Sequence, residues 1–250
     1  MGLGARRYPG NMTFEQMANS FGRAVDAYDS ARPSYPAEAM RWLVPETART
    51  VLDLGAGTGK FTRLLVDAGY ETIAVEPDQG MLDRLHAAMP SVDARVGTAE
   101  SIPLDSDSVD AVTVAQAWHW VDAPAALPEV ARVLRTGGTF GIVWNVRDQT
   151  VPWISELGAA MHESAAEAHF EQVAAVAEPF GPLERTVIHW SIPMDRARVV
   201  TLVTSRSYFI TAEPDEQRRV LDAVNAVLDS VPGENYLMEY DTHCFRARLA

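Results

Sequence analysis

The most constraining feature of the chain is a glycine-rich turn that directly follows a short hydrophobic run. Residues 51–54 read Val-Leu-Asp-Leu, the pattern of a buried strand, and glycines follow at positions 55, 57 and 59. Glycine lacks a Cβ atom, so this stretch can bend sharply and let a ligand approach its backbone. A helical pattern begins at Phe61. The sequence therefore predicts a ligand-binding turn at the carboxyl end of a parallel strand.

A second predicted strand, residues 72–75, ends in Glu76. In open α/β sheets an acidic side chain at this place accepts hydrogen bonds from a ribose diol. The glycine turn and Glu76 together predict a cofactor that contains a nucleoside.

Two other glycine motifs resemble the turn without matching it. A Walker A loop would need glycine at position 54 and Ser or Thr at 61, where the chain has Leu54 and Phe61, so that motif is excluded. A dinucleotide turn needs its third glycine at the position of Lys60, which leaves a nicotinamide-dependent reductase as a weaker alternative. Because Lys60 is the only lysine of the chain, a catalytic Tyr-x-x-x-Lys pair is absent.

Composition narrows the class of protein. The net charge of −13 over 250 residues disfavours nucleic acid as a partner, since nucleic-acid binders present a basic surface. We expect no membrane span, because no apolar run is long enough, and no secretory signal behind Met1. The single Cys244 fits a reducing compartment, and the scattered histidines predict no metal site. We therefore expect a cytoplasmic protein of undetermined oligomeric state.

Strand and helix patterns alternate from residue 50 to about 145, which predicts a doubly wound, mostly parallel α/β sheet. The predicted strands of this part are 92–96, 109–115 and 139–144, and the predicted helices are 80–88 and about 124–134, the latter stopped by Gly137 and Gly138. The second half predicts strands at 184–192 and 236–249 and helices at 161–177, 199–209 and 216–228.

We expect a single domain over residues 1–250. Residues 1–45 would form an N-terminal cap, because Met17, Phe21, Val25 and Tyr28 share one helical face. Residues 46–150 would form the cofactor-binding core. Residues 151–250 would complete the sheet and supply a substrate lid.

Further motifs lie at the predicted strand ends and carry a family resemblance. They read Glu76-Pro77-Asp78, Gly97-Thr98-Ala99-Glu100, Gln116-Ala117-Trp118-His119-Trp120 and Trp144-Asn145-x-Arg147-Asp148. With the turn Asp-x-Gly-x-Gly-x-Gly and the segment 21–36, they resemble the class I S-adenosylmethionine (SAM)-dependent methyltransferases over about residues 14–150. The likeness is to the small-molecule branch that includes trans-aconitate methyltransferase-like proteins.

This resemblance implies a seven-stranded sheet of order 3-2-1-4-5-7-6 with strand seven antiparallel and helical lid elements at both ends of the chain. It implies SAM as the cofactor and methyl transfer to a small-molecule acceptor, with a carboxylic acid as one candidate. A catalytically silent SAM-binding module is a further alternative. The cofactor-binding residues that the resemblance implies are Tyr28, Arg32, Gly55, Ala56, Gly57, Gly59, Glu76, Pro77, Met81, Thr98, Ala99, Glu100, Gln116 and Ala117.

Two groups of these residues allow more specific hypotheses. Tyr28 and Arg32 are one helical turn apart, and Arg32 can pair with a carboxylate of SAM or of the acceptor. In an extended segment Trp118 and Trp120 would point to one side and His119 to the other. His119 is then either a general base or a residue that only lines the site. The candidate substrate residues are Trp118, Trp120, Trp144 and Tyr208.

Overall fold

The computed structural model describes residues 32–161, 178–233 and 236–250, and these residues group into two compact units. The larger unit comprises residues 34–148, 178–191 and 239–250. The smaller unit comprises residues 32–33, 149–161, 192–233 and 236–238. The predicted N-terminal helical face lies outside the described residues, and so does the helix predicted over 161–177 except for Met161.

Seven strands form one sheet, and the predicted order 3-2-1-4-5-7-6 is confirmed. Strands β1 to β5 are parallel to one another, whereas β7 runs antiparallel to β5 from the pair Thr139–Arg248 to the pair Arg147–Tyr240. The strands are β1 (Thr50–Leu54), β2 (Glu71–Glu76), β3 (Asp93–Val96), β4 (Val109–Ala115), β5 (Leu134–Arg147), β6 (Glu184–Met194) and β7 (Tyr236–Arg248).

The helices match the sequence pattern closely around the glycine turn and less well elsewhere. The prediction lacked α1 and α5, and its single helix over 199–209 is two helices that separate near Ser205. The described helices are α1 (Ala37–Leu43), α2 (Lys60–Asp67), α3 (Gln79–Ala88), α4 (Ala123–Val133), α5 (Pro152–Ala160), α6 (Arg196–Thr204), α7 (Ser207–Thr211) and α8 (Pro214–Ser230). None of the described helices is long and apolar enough to cross a bilayer.

The central strands are hydrophobic throughout because both faces of the sheet are covered. Val51 packs with Leu43 of α1 and Phe61 of α2 in one apolar cluster. Leu52 belongs to a second cluster that includes Val130 of α4. A parallel strand buried on both faces shows a continuous apolar run, which is the pattern at positions 51–54. The covered faces leave the strand ends as the place where polar groups are presented.

The predicted role of Gly137 and Gly138 as a helix stop was wrong. Helix α4 ends at Val133, β5 begins at Leu134, and both glycines lie within this strand. A Cβ atom on Gly138 would lie 2.8 Å from the carbonyl oxygen of Arg135 and 3.0 Å from that of Asp110. Gly138 therefore allows the early part of β5 to approach β4, where the register between the two strands shifts.

Candidate functional site

The three glycines after β1 all adopt left-handed backbone conformations, but they have different neighbours. Gly55, Gly57 and Gly59 have φ values of 71°, 56° and 89°. A Cβ atom on Gly55 would lie 2.8 Å from the Cβ of Ala117, and one on Gly59 would lie 2.5 Å from Met89. At Gly57 the nearest atom within 4 Å is the Met81 sulfur, at 3.8 Å. Gly55 and Gly59 thus serve packing within the protein, and Gly57 leaves its surroundings open to a ligand.

Glu76 at the end of β2 is held by two backbone amides. Its Oε2 accepts a hydrogen bond from the Gly57 amide at 3.0 Å, and its Oε1 accepts one from the Asp78 amide at 3.2 Å. The side chain is 8% exposed. Burial raises the pKa of Glu76, and the amides of Gly57 and Asp78 oppose that rise. Each oxygen retains acceptor capacity, so the oriented carboxylate can accept hydrogen bonds from a diol.

The glycine-turn motif Asp-x-Gly-x-Gly-x-Gly begins with a buried acid, Asp53, that the sequence reasoning did not assign to the site. Its Oδ2 accepts a hydrogen bond from the Thr62 hydroxyl at 2.6 Å, which fixes the start of α2 against β1. Its Oδ1 is buried and has no hydrogen-bond partner among the described residues. Burial, reinforced by the charge of Glu76, raises the pKa of Asp53 to about 7 although the Thr62 hydroxyl opposes the rise. The fully buried position at the end of an apolar strand was the signal that could have identified it.

Beyond β2, Asp78 caps α3 by accepting a hydrogen bond from the Met81 amide at 2.9 Å. This cap places Met81 beside Gly57, with its sulfur 3.8 Å from a Cβ atom added to the glycine. Pro77 between Glu76 and the cap is exposed.

The loop after β3 carries the predicted residues Thr98, Ala99 and Glu100. Thr98 pairs with Ser101 in a tight turn and is exposed, whereas Ala99 is buried in the apolar cluster under the sheet end. Glu100 accepts a hydrogen bond from the Asp122 amide at 2.8 Å. The Glu100 side chain therefore ties this loop to the loop that precedes α4.

The loop after β4 begins with a strained residue. Gln116 has a φ of 56°, which is uncommon for a residue with a Cβ atom. Its backbone amide donates to the Val143 carbonyl at 2.9 Å, and its side-chain Oε1 accepts from the backbone amide of Asn145 at 2.5 Å. This backbone turn places Ala117 against Gly55 and so joins the loop after β4 to the glycine loop.

The expectation of an extended segment at 118–120 was wrong. These residues form a 3₁₀ helix, so side chains do not alternate between two sides. Trp118 is buried against Phe140, with ring centroids 5.1 Å apart. His119 and Trp120, predicted to diverge, have ring centroids only 4.6 Å apart.

At the end of β5, Trp144 joins these aromatic residues, with its ring centroid 6.1 Å from that of His119. Its indole Nε1–H is buried and has no hydrogen-bond partner within the described part of the chain. An unsatisfied buried donor is rare in folded proteins, so this one requires an explanation.

The structure adds Asn145 and Thr242, which the sequence reasoning did not select as site residues. The Asn145 Nδ2 donates to the Ser34 carbonyl at 3.1 Å, and its Oδ1 accepts from the Thr242 hydroxyl at 2.7 Å. The Thr242 oxygen in turn accepts from Trp190 Nε1 at 2.7 Å. Only the cross-strand pairing of β5 with β7 reveals these contacts, so no local sequence signal pointed to them.

Three predicted site residues lie outside the described part of the larger unit. Tyr28 lies outside the described residues. Arg32 and Tyr208 belong to the smaller unit, and their assignment to cofactor and substrate stays a prediction. Among the residues that the structure describes, no group of three or more His, Cys, Asp and Glu side chains is placed to hold a metal ion.

Comparison with known proteins identifies similar sequences and folds. A protein family described as a methyltransferase domain matches residues 52–142. A protein named as a methyltransferase from Mycobacterium tuberculosis is 48% identical over 238 residues, covering 94% of this chain and 97% of that protein. A malonyl-[acyl-carrier protein] O-methyltransferase from Methylococcus capsulatus is 40% identical over 139 residues, or 49% of this chain and 50% of that protein.

A solved structure of a protein described as a type II methyltransferase, from Anaeromyxobacter dehalogenans, has the same fold. It superposes with a TM-score of 0.67 at 23% identity and covers 87% of this chain and 98% of the other.

Proposed function

The chain belongs to the class I SAM-dependent methyltransferases, and we propose that it transfers the methyl group of SAM to a carboxylate of a small-molecule acceptor. Methyl transfer as such follows from the family, since the Mycobacterium tuberculosis relative covers nearly the whole chain. SAM is the expected cofactor, which excludes the nicotinamide-dependent reductase as the main function. The class of acceptor is the part that we propose.

The residues at the strand ends fit SAM. The space beside Gly57 would be reduced by any side chain, and the Glu76 carboxylate, which accepts from the Gly57 amide, would accept from the ribose hydroxyls. Ala99 and Glu100 lie on the loop after β3, where they would border the adenine. Gln116 and Ala117 contribute backbone from the loop after β4, which touches the glycine loop at Gly55.

Once bound, SAM supplies a methyl group on a positively charged sulfur that is already activated for displacement. The protein therefore needs mainly to orient the cofactor and acceptor and to exclude water. Glu76 and the glycine loop would fix the nucleoside. The rings of His119, Trp120 and Trp144 would border the acceptor, and aromatic faces attract the positive sulfur.

One observation favours an acceptor that carries oxygen. The buried Nε1–H of Trp144 lacks a hydrogen-bond acceptor among the described residues, and a carboxylate oxygen would supply one. A carboxylate is also deprotonated near neutral pH, so its methylation needs no general base. The relative named as a malonyl-[acyl-carrier protein] O-methyltransferase provides a precedent for transfer to oxygen.

The proposal is tested with SAM that carries a radioactive methyl group, incubated with the protein and a set of small carboxylic acids that includes trans-aconitate. A parallel set holds the corresponding alcohols and amines. Methyl esters of carboxylic acids are cleaved by mild alkali and release volatile labelled methanol, whereas ethers and N-methyl groups survive. We expect alkali-labile label only in the acid set. Alkali-stable product would refute the carboxylate, and binding of SAM without any product would favour the catalytically silent module.

A further inference from the structure

A chain of hydrogen bonds that centres on Asn145 joins the ends of β4 and β5 to the middle of β7. The backbone amide of Asn145 donates to Gln116 Oε1. In the Asn145 side chain, Nδ2 donates to the Ser34 carbonyl and Oδ1 accepts from the Thr242 hydroxyl. Asn145 is 9% exposed, and both of its side-chain polar atoms have partners. Buried polar groups of this kind fix their neighbours in one arrangement.

Gln116 depends on this chain because its backbone is in an unfavourable conformation. A residue with a Cβ atom adopts a φ of 56° only where surrounding contacts hold it there. Two hydrogen bonds do so, from the Gln116 amide to Val143 and from the Asn145 amide to the Gln116 side chain. Both partners belong to the end of β5, so the position of that strand end decides the conformation of Gln116.

The conformation of Gln116 in turn sets the glycine loop. Ala117 follows it and lies so close to Gly55 that a Cβ atom on the glycine would come within 2.8 Å of the Ala117 Cβ. A change in Gln116 would therefore alter the contact on which the loop beside Gly57 rests.

We propose that Asn145 is a positioning residue that pre-organises the SAM site through Gln116 and Ala117 without touching the cofactor. The inference rests on the proposed SAM site, and it adds a residue of β5 to the determinants of cofactor affinity. A pre-organised loop loses less conformational freedom on binding, which increases affinity for every ligand that uses the loop.

The test measures the affinity of Asn145→Ala for SAM and for its neutral demethylated product, S-adenosylhomocysteine, by calorimetry. We expect both dissociation constants to rise about tenfold, the effect of losing one or two hydrogen bonds. Equal effects on the two ligands exclude an interaction with the positive sulfur, which SAM alone carries. Gln116→Met should weaken both ligands likewise, whereas Gln116→Glu, which keeps an acceptor oxygen for the Asn145 amide, should restore most of the affinity for S-adenosylhomocysteine.

Matched threonine variants control for the loss of a buried hydroxyl. Thr242→Val removes the donor to Asn145 and should weaken both ligands, whereas Thr139→Val removes a buried hydroxyl at the other end of β5 that has no partner in the described part of the chain. Thr139→Val should leave both affinities unchanged. Equal effects of the two variants would overturn the proposal.

Hydrogen exchange provides a readout other than affinity. In ligand-free Asn145→Ala the amides of residues 115–121 should exchange faster than in the wild type, and S-adenosylhomocysteine should restore their protection. If Asn145→Ala does not fold, Gln116→Met and Thr242→Val give the same readout. Folded variants with wild-type affinity and exchange would refute the positioning role. Wild-type protein that binds neither ligand would instead refute the SAM site, and the inference with it.

Discussion

The Oε2 of Glu76 lies 3.0 Å from the amide nitrogen of Gly57, so the acidic residue that ends β2 and the open glycine of the loop after β1 are directly bonded. This bond orients the carboxylate and at the same time restrains the glycine loop. The sequence spacing predicts two independent contributions to a cofactor site. In the structure the carboxylate and the glycine loop are linked by a hydrogen bond. Removing the carboxylate is therefore expected both to remove an acceptor for the cofactor and to loosen the loop.

Glu76→Ala should weaken binding of SAM by about 1.5–3 kcal/mol, the range for a lost hydrogen bond to a charged group. The matched control is Glu71→Ala at the opposite end of the same strand, where Glu71 accepts from the Thr50 hydroxyl on the surface. Calorimetry should show wild-type affinity for the control. Equal affinity of both variants for SAM would contradict the assignment of Glu76 to the ribose.

Gly57→Leu should abolish SAM binding while the protein remains folded, because the added side chain enters space that is open in the structure. Gly69→Leu is the control, since Gly69 also has a positive φ, of 89°, and nothing within 4 Å of an added Cβ. Both variants place a side chain on a residue with positive φ, so both should lower the thermal unfolding midpoint while remaining folded. Retention of SAM binding by Gly57→Leu would mean that the loop does not face the cofactor.

Gly59→Ala has a different expected outcome. Its Cβ would lie 2.5 Å from the Met89 Cε and 3.0 Å from the Leu85 Cγ, so these side chains of the α3 region must shift, and the residue would also carry a φ of 89°. We expect a loss of stability of about 1–3 kcal/mol, as for other overpacked positions, measured by urea unfolding. A stable Gly59→Ala variant would show that α3 can yield at this contact.

Asp53 should make the protein less stable as the pH rises. Burial raises the pKa of Asp53 from 3.8 to about 7, so the folded state binds a proton that the unfolded state releases. The stabilising contribution is present below about pH 4 and is lost between about pH 4 and pH 7, with a magnitude on the order of 4 kcal/mol. Burial also raises the pKa of Glu76, which acts in the same direction.

Asp53→Asn should therefore flatten the dependence of the free energy of unfolding on pH in this window, as measured by urea unfolding. Asp110→Asn is the control. Burial tends to raise the pKa of Asp110, but the amides of Thr50 and Arg49 and the Arg135 guanidinium outweigh it and lower the pKa overall. The loss of unfolding free energy caused by Asp110→Asn should therefore be the same at about pH 5 and at about pH 8. An unchanged slope in Asp53→Asn would mean that Asp53 ionises near its ordinary pKa.

The alternation of strands and helices and the glycine loop could be predicted because their signals are local, whereas the strand order came from the family resemblance. The run Val-Leu-Asp-Leu, the glycines and Glu76 each occupy a few consecutive positions, and the sheet places them together. The conformation of residues 118–120 could not be predicted, because it follows from the left-handed Gln116 and the packing of Trp118 on Phe140. Asn145 was missed because its partners, Ser34 and Thr242, are 111 and 97 residues away along the chain.

Arg32 is expected to matter more for ligand binding than for folding, since it is half-buried and directly precedes Pro33. If Arg32 pairs with a carboxylate, Arg32→Lys keeps the charge but loses the planar fork, and Arg32→Ala loses both. We expect affinity for SAM or for the acceptor to fall in the order wild type, Lys, Ala. Arg41→Ala, an exposed arginine of α1, is the control. Wild-type affinity of both Arg32 variants for both ligands would assign Arg32 to the solvated surface.

His119 distinguishes between classes of acceptor. It lies on the loop that joins β4 to α4, and its ring centroid is 4.6 Å from that of Trp120 and 6.1 Å from that of Trp144. A hydroxyl acceptor must lose a proton as the new bond forms, and His119→Ala would then lower turnover by about 10²–10⁴. A carboxylate acceptor has no proton to lose, so we expect His119→Ala to change the KM for the acceptor and to leave kcat within about tenfold of the wild type. Turnover more than a hundredfold below wild type, with unchanged SAM affinity, would assign His119 as a general base and refute the carboxylate acceptor.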